Sequence, residues 1–165
     1  MVVGDLASVA ADAVVRPANG NLETISPALR RLEAAAGPSF RRFCHAEREL
    51  GVGAAVVTPA GDQAVELVVH AVLMTRQEPV TKAGVRRAAE AALRQAAQWH
   101  IGTIALPPLG TGAGQLATED AAAAVLDVIW EHGRAATHPS TVIVVVETDA
   151  EREIFEAALA AGGAL

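Results

Sequence analysis

The stretch Thr103-Ile104-Ala105-Leu106-Pro107-Pro108-Leu109-Gly110-Thr111-Gly112-Ala113-Gly114-Gln115 passes from a short apolar segment, through two prolines, into a loop with glycine at alternate positions. Residues 103–106 have strand length and strand composition, and proline cannot donate to a sheet ladder, so Pro107 marks the strand's end. Beyond the loop, Thr118 reads as the cap of an alanine-rich helix, with Glu119 and Asp120 at the positive end of its dipole. Strand, glycine loop and helix in succession form a unit of an α/β fold, where ligands lie beyond the carboxyl ends of the strands. Such glycines allow positive φ and let a ligand come close to backbone N–H groups, as in anion-binding nests. The plain alternative is a tight strand-to-helix turn. No Gly-Lys-Ser/Thr follows, so the loop is not a P-loop. It is a poor dinucleotide fingerprint too, because the third glycine would fall at Gln115 and too little chain remains for a second mononucleotide half.

The same alternation runs outward in both directions. Strands are expected at residues 13–16, 54–58, 65–73, 103–106 and 141–146. The last of these, TVIVVV, is apolar on both parities and reads as a central strand covered on both faces. Ser26-Pro27 supplies a cap and a first-turn residue for a helix that Gly37 ends, and residues 39–50 read as a second short helix closed by Gly51. Thr81 caps a long helix to about Trp99 whose inner face is Val85, Ala88, Ala89, Ala92, Leu93 and Ala96. Asp149 is expected to cap the last helix, which fades at Gly162-Gly163 and turns Ile154, Phe155, Ala158 and Leu159 inward. A mixed sheet between two layers of helices follows.

With 165 residues the chain is the size of one domain. Hydrophobic residues make up 52% but aromatics only 3%, with no Tyr, so the core is aliphatic and stacking partners for a ligand are few. A net charge of −6 argues against a nucleic-acid-binding surface, which needs a basic face. No apolar run is long enough to span a membrane. The N-terminus meets Asp5 before any basic residue, unlike a secretory signal. Cys44 is the single cysteine, which excludes an internal disulfide and cysteine metal clusters and fits a reducing cytosol.

A second loop, Pro17-Ala18-Asn19-Gly20-Asn21-Leu22-Glu23-Thr24-Ile25-Ser26, also joins a strand to a capped helix. Taken together, the loops and their flanks show an ordered pattern. Gly4-Asp5-Leu6 is followed by Asp12-Ala13-Val14-Val15-Arg16-Pro17-Ala18-Asn19. Then come Val52-Gly53 to Thr58-Pro59, Val69-His70-Ala71-Val72, and residues 103–107 into Leu109-Gly110-Thr111-Gly112. This order resembles the macro domain, across essentially the whole chain. The resemblance implies a three-layer α/β/α fold with a mixed, mostly parallel sheet, and a cleft for ADP-ribose or a related nucleotide. An ADP-ribosylated protein would be a possible partner, and neither a metal nor a cofactor is implied. By position, Asp5 would accept from the adenine amino group with Leu6 lining the base, and Asn19 would lie by the distal ribose. Pro107, Leu109, Gly110, Thr111, Gly112, Ala113 and Gly114 would form the diphosphate loop, with Leu22, Ile25 and Ser26 as the opposite wall. Asp5 equally suits a turn or a cap, and Asn19 an Asx-turn.

The departures from the family pattern bear on activity. Arg16 stands where the first asparagine of the NAAN-like motif belongs. Pro27, which has no N–H and cannot take positive φ, stands near the usual glycine-rich stretch. The acidic residue some hydrolytic members carry there is missing. Gly114 and Gln115 replace the aromatic and glycine of the second loop, and Glu147 maps near the aromatic that often stacks on adenine. The position of a lysine nucleophile is nearest Arg76, which stays protonated. Only Met1-Val2-Val3 precede Gly4, so the usual first strand is either abbreviated or lost. Three readings follow: a binding module; a hydrolase of ADP-ribose adducts using a water held by the phosphates and Asn19 as candidate catalytic residue; and a degenerate module acting in assembly.

Other residues read as structural. Cys44 and His45, adjacent on a helix, point about 100° apart and cannot pair directly. His70 sits in an apolar strand as a structural histidine. His132 suits a helix C-terminus. No His/Asp/Glu spacing resembles a zinc site. Arg30-Arg31, Arg41-Arg42 and Arg86-Arg87 read as solvated faces, with contact to a ligand phosphate as the alternative for one of them.

Overall fold

A computed structural model describes residues 1–26, 29–112 and 116–162. The strands are β1 (Val2–Val3), β2 (Ala13–Asn19), β3 (Ala55–Pro59), β4 (Leu67–Met74), β5 (Thr103–Leu106) and β6 (Thr141–Val146). The helices are α1 (Leu29–Phe43), α2 (Lys82–Gln98), α3 (Thr118–Ala135) and α4 (Asp149–Gly162), and Leu6–Ser8 form a 3-10 turn. The strands make one six-stranded sheet in the order β1-β6-β5-β2-β4-β3. All neighbours are parallel except the β3–β4 pair. The expected mixed, mostly parallel α/β/α architecture is therefore the one observed.

Strand alternation divides the core. Val15, Val69, Leu73, Ile104 and Leu106 face α2 and α3, whose inner stripe Val85, Ala88, Ala89, Ala92, Leu93 and Ala96 is buried as its spacing predicts. Val14, Val68, Ala105 and Val145 face the other way, against Leu32, Ala36 and Phe40 of α1 and Leu6. Phe155 anchors α4 against Val144, Val146 and Leu126. Ile154 and Ala158 pack beside it, but Leu159 is exposed.

Several boundaries differ from the sequence reading. A first strand is present, Val2–Val3 paired parallel with β6. β6 is thus second from the sheet edge rather than central, and its Val144, Val145 and Val146 are covered on both faces. Gly37 does break the first helix, at φ 73 and ψ 179, a conformation open only to glycine. The helix after it ends at Phe43, not Leu50. The amide of Leu50 donates to the carbonyl of Gly20 at 2.8 Å, which ties the end of this segment to the loop after β2. Ala117, not Thr118, is the N-cap of α3 and makes no side-chain cap bond, while Glu119 and Asp120 fill the first turn as expected. Asp149 lies inside α4. The hydroxyl of Thr148 accepts from the amide of Glu151, and the carboxylate of Glu151 accepts from the amide of Thr148, which is a capping box. The Pro27 first-turn role and Gly163 lie outside the described residues.

Sheet order also places the site. From β2 the chain crosses to the β4 side, whereas from β5 it crosses to β6 on the other side. The ladder between β2 and β5 covers only Ala13 and Val14 on the β2 side. Beyond it the two strands no longer pair, and Pro17 sits where an N–H partner is no longer needed. This is the topological switch point of the sheet.

Candidate functional site

A cleft of about 250 Å³ lies at that switch point. Pro17 from the end of β2 and Pro107 and Pro108 after β5 form its inner side. Ile25, Ser26 and Leu29 form one wall, Gly110, Thr111 and Gly112 the other, and Thr118 begins the helix behind. Its far end is closed by Gly4, Asp5, Leu6, Val145, Glu147 and Glu151.

The glycine loop is fixed from below. Gly110 has φ 90, and a β-carbon there would lie 2.8 Å from Val85 Cγ2 on α2, so glycine is required both by conformation and by the closeness of the helix. Leu109 is buried in the core rather than exposed to the cleft, and the amide of Leu116 donates to the Gly110 carbonyl at 3.0 Å. Ala113, Gly114 and Gln115 lie outside the described residues.

At the far end, one carboxylate oxygen of Asp5 accepts from the Ala7 amide at 3.0 Å and caps the 3-10 turn. The other lies 3.6 Å from Arg31 of α1, whose second Nη is 3.5 Å from Glu147. Glu151 accepts from the amides of Glu147 and Thr148 at 2.9 and 3.2 Å, so its charge is met by the start of α4. The cleft thus has an anionic, apolar-floored end and a glycine-loop end. A ligand with a neutral, hydrogen-bond-donating head and an anionic middle matches that division.

Among the residues singled out from sequence, Asp5, Leu6, Ile25, Ser26, Pro107, Gly110, Thr111 and Gly112 come together on this cleft. Asn19 and Leu22 are not among its lining residues. Asn19 Oδ1 accepts from the amides of Asn21 and Glu23 at 3.0 and 2.9 Å, and its Nδ2 donates to the Glu23 carboxylate, the Asx-type arrangement. Leu22 takes φ 65 and is buried with Ala18 and Val72. Sequence reasoning assigned no role to Leu29, Val145 or Glu151. The Thr148-x-x-Glu151 pattern was the available signal for Glu151, and strand parity for Val145.

The other candidates occupy structural places. Burial, reinforced by the nearby Arg16 cation, lowers the His70 pKa to about 3, so the ring is a neutral hydrogen-bonding group. Burial likewise pushes the Cys44 thiol up, away from the thiolate a nucleophile needs. Arg86 pairs with Glu131, Glu90 and Asp127 on a solvated helix face. Among the described residues no group of His, Cys, Asp or Glu could hold a metal ion, and no helix is long and apolar enough to cross a membrane.

The Macro domain family model matches residues 15–125, more than half of the chain. The chain belongs to the Macro domain family. Among curated relatives, an uncharacterized protein of Mycobacterium tuberculosis (strain ATCC 25618 / H37Rv) is 30% identical over 96% of this chain and 44% of its own length. The chain therefore spans less than half of that relative. An O-acetyl-ADP-ribose deacetylase of Enterobacter sp. (strain 638) is 28% identical over 94% of the chain and 90% of its own length. Among solved structures, a mutant macrodomain of Oceanobacillus iheyensis with ADPR superimposes with a TM-score of 0.89, covering 99% of this chain and 92% of that one at 21% identity. At that identity the likeness establishes the macro-domain fold.

Proposed function

We propose that this macro domain binds ADP-ribose or a closely related nucleotide in the switch-point cleft. The observation that carries this reading is the division of the cleft itself: Gly110 to Gly112 at one end, Asp5 and the apolar floor of Leu6 and Val145 at the other. In this reading the Asp5 carboxylate accepts from the base amino group, and backbone N–H groups of Gly110 to Gly112 hold the diphosphate. Ile25 and Ser26 close over it, with the distal ribose toward Pro17 and Pro107. Phosphates avoid the far end because Asp5, Glu147 and Glu151 repel them. The solved macrodomain with ADPR supports the choice of ligand. An ADP-ribosylated protein is the corresponding macromolecular partner, and the lone Cys44 fits a cytosolic setting.

A second reading, hydrolysis of ADP-ribose adducts, is favoured by the name of the Enterobacter relative. The cleft itself supports binding more strongly. Asp5 and Glu151 already accept backbone amides, Glu147 pairs with Arg31, and the Asn19 side chain is engaged within its own loop. None is left as an uncommitted general base.

Calorimetry with ADP-ribose at millimolar concentration tests the first reading. Saturable heat, weakened by Asp5→Ala, is expected; absence of heat would overturn it. Incubation with O-acetyl-ADP-ribose and with a mono-ADP-ribosylated protein tests the second, which fails if both stay intact over hours while ADP-ribose binds.

A further inference from the structure

Arg16 is the largest fully buried side chain among the described residues, at 1% exposure. It lies on β2 facing α1, with its guanidinium carbon 5.9 Å from the centre of the Phe40 ring. Its Nη1 donates to the Leu22 carbonyl at 3.1 Å and to His70 Nδ1 at 3.2 Å. Its Nη2 donates to the Thr24 hydroxyl at 2.7 Å and pairs with the Glu33 carboxylate of α1. His70 is its register partner on β4, and the Nε2 of that ring meets Thr58 Oγ1 of β3 at 2.8 Å. A neutral imidazole that accepts at Nδ1 carries its proton at Nε2, so the chain of donors runs from Arg16 through His70 to Thr58 and on to the Pro59 carbonyl.

Stability alone does not account for an arginine here. A buried ion pair is often no better than well-packed apolar residues of the same volume, and Arg16 Nε has no partner. What the planar fork supplies is reach. One side chain joins two sheet strands, the loop after β2 and the helix that follows it. That loop and helix carry one wall of the cleft, since Ile25, Ser26 and Leu29 lie just beyond Thr24.

We propose that Arg16 is a positioning residue of the nucleotide cleft, its guanidinium fastening Leu22, Thr24 and Glu33 to the sheet and so setting the wall formed by Ile25 and Ser26. The claim about the ligand rests on the nucleotide-binding reading above; the claim about the loop does not. The polar partners of Arg16 are Leu22, Thr24, Glu33 and His70, none of which lines the cleft, so it acts through the chain it holds. Because that wall lies beside the glycine loop and not beside Asp5, loosening it affects the diphosphate and distal ribose more than the base.

The experiment compares the wild type with Arg16→Lys and Thr24→Val by amide hydrogen exchange and by calorimetry with ADP-ribose and with AMP. Lysine keeps the charge but loses the fork. Thr24→Val removes one partner at a half-exposed position and keeps the fold if Arg16→Lys does not. Exchange at residues 22–26 is expected to rise about tenfold relative to β4, the worth of one charge-assisted hydrogen bond. ADP-ribose should weaken by about tenfold while AMP stays within about twofold. Unchanged exchange at residues 22–26 in Thr24→Val overturns the proposal, and so does equal weakening of both ligands. If the wild type binds neither ligand, the nucleotide reading falls and the exchange data alone decide what Arg16 holds.

Discussion

Gly112 and Ser26 approach across the cleft so closely that a β-carbon on Gly112 would stand 3.1 Å from the Ser26 hydroxyl oxygen and 3.3 Å from its β-carbon. The two loops, far apart in sequence, thus narrow the cleft where the glycine loop begins. Gly112 is exposed and the contact is with a half-buried side chain rather than backbone, so an added methyl group needs only a shift of a few tenths of an ångström at Ser26. Gly112→Ala should leave stability within about 0.5 kcal/mol of wild type. It should weaken ADP-ribose about tenfold, because a methyl group enters the gap the diphosphate must occupy. Thermal unfolding and calorimetry on one preparation check both halves. Unaltered affinity would mean that the ligand does not pass between these two loops.

Arg31 is the one cation paired with the acidic end of the cleft among the described residues, bridging Asp5 and Glu147 at 3.6 and 3.5 Å. At 66% exposure these pairs contribute little to folding, on the order of 0.2–1 kcal/mol each. Their removal is felt by the ligand instead, since Arg31→Ala leaves two uncompensated carboxylates at the far end of the cleft, repelling an anionic ligand at longer range. The expected loss is at most about fivefold in ADP-ribose affinity. It should shrink at high salt, where screening covers distances beyond a few ångströms. Titrations at low and high salt decide the point: a salt-independent loss would show that Arg31 contacts the ligand rather than the carboxylates.

The legible parts of this fold were those written in periodicity. TVIVVV and the valine-rich run of β4 read as strands because burial on two faces puts apolar residues on both parities of the strand. The α2 stripe read correctly because its alanines recur at helical spacing. Residues 44–50 misread because their composition suits a helix, while the Leu50-to-Gly20 backbone bond that overrides it is a long-range contact. The site divided the same way. Asp5, Gly110 and Gly112 lie on loops whose shape follows from local residue types. The burial of Arg16 was invisible, since its partners Thr24, Glu33 and His70 come from a loop, a helix and a second strand.

Thr148 and Glu151 form the reciprocal cap of α4, and Glu151 also lines the cleft. Removing the hydroxyl leaves the Glu151 amide without its cap, whereas Asp149 contributes only first-turn charge and an exposed pair with Arg152. Thr148→Ala should therefore destabilise the protein by about 1 kcal/mol. Asp149→Ala should change it by less than about 0.5 kcal/mol. Urea unfolding of the two variants ranks them. The reverse order would show that Asp149 caps this helix after all.

His70 gives acid sensitivity a specific source. Its ring is buried beside Arg16 and titrates at about 3 in the folded chain, against an ordinary value near 6.5. Above pH 6.5 the ring is neutral in both states and its contribution is fully present. As pH falls below 6.5 the unfolded chain takes up a proton that the folded chain refuses, so stability is lost from there down to the folded value. The steepest loss from this one group is about 1.4 kcal/mol per pH unit. His70→Gln removes the titration while keeping a side chain able to accept from Arg16. It should be less stable than wild type at pH 7, with a flatter fall between pH 6.5 and 4. Carboxylates titrate in both proteins, so the difference between the two slopes isolates the histidine. Identical slopes in urea unfolding across that window would show that water or a shifted ring accommodates the charge, and that the neutral imidazole is not a condition of the Arg16 network.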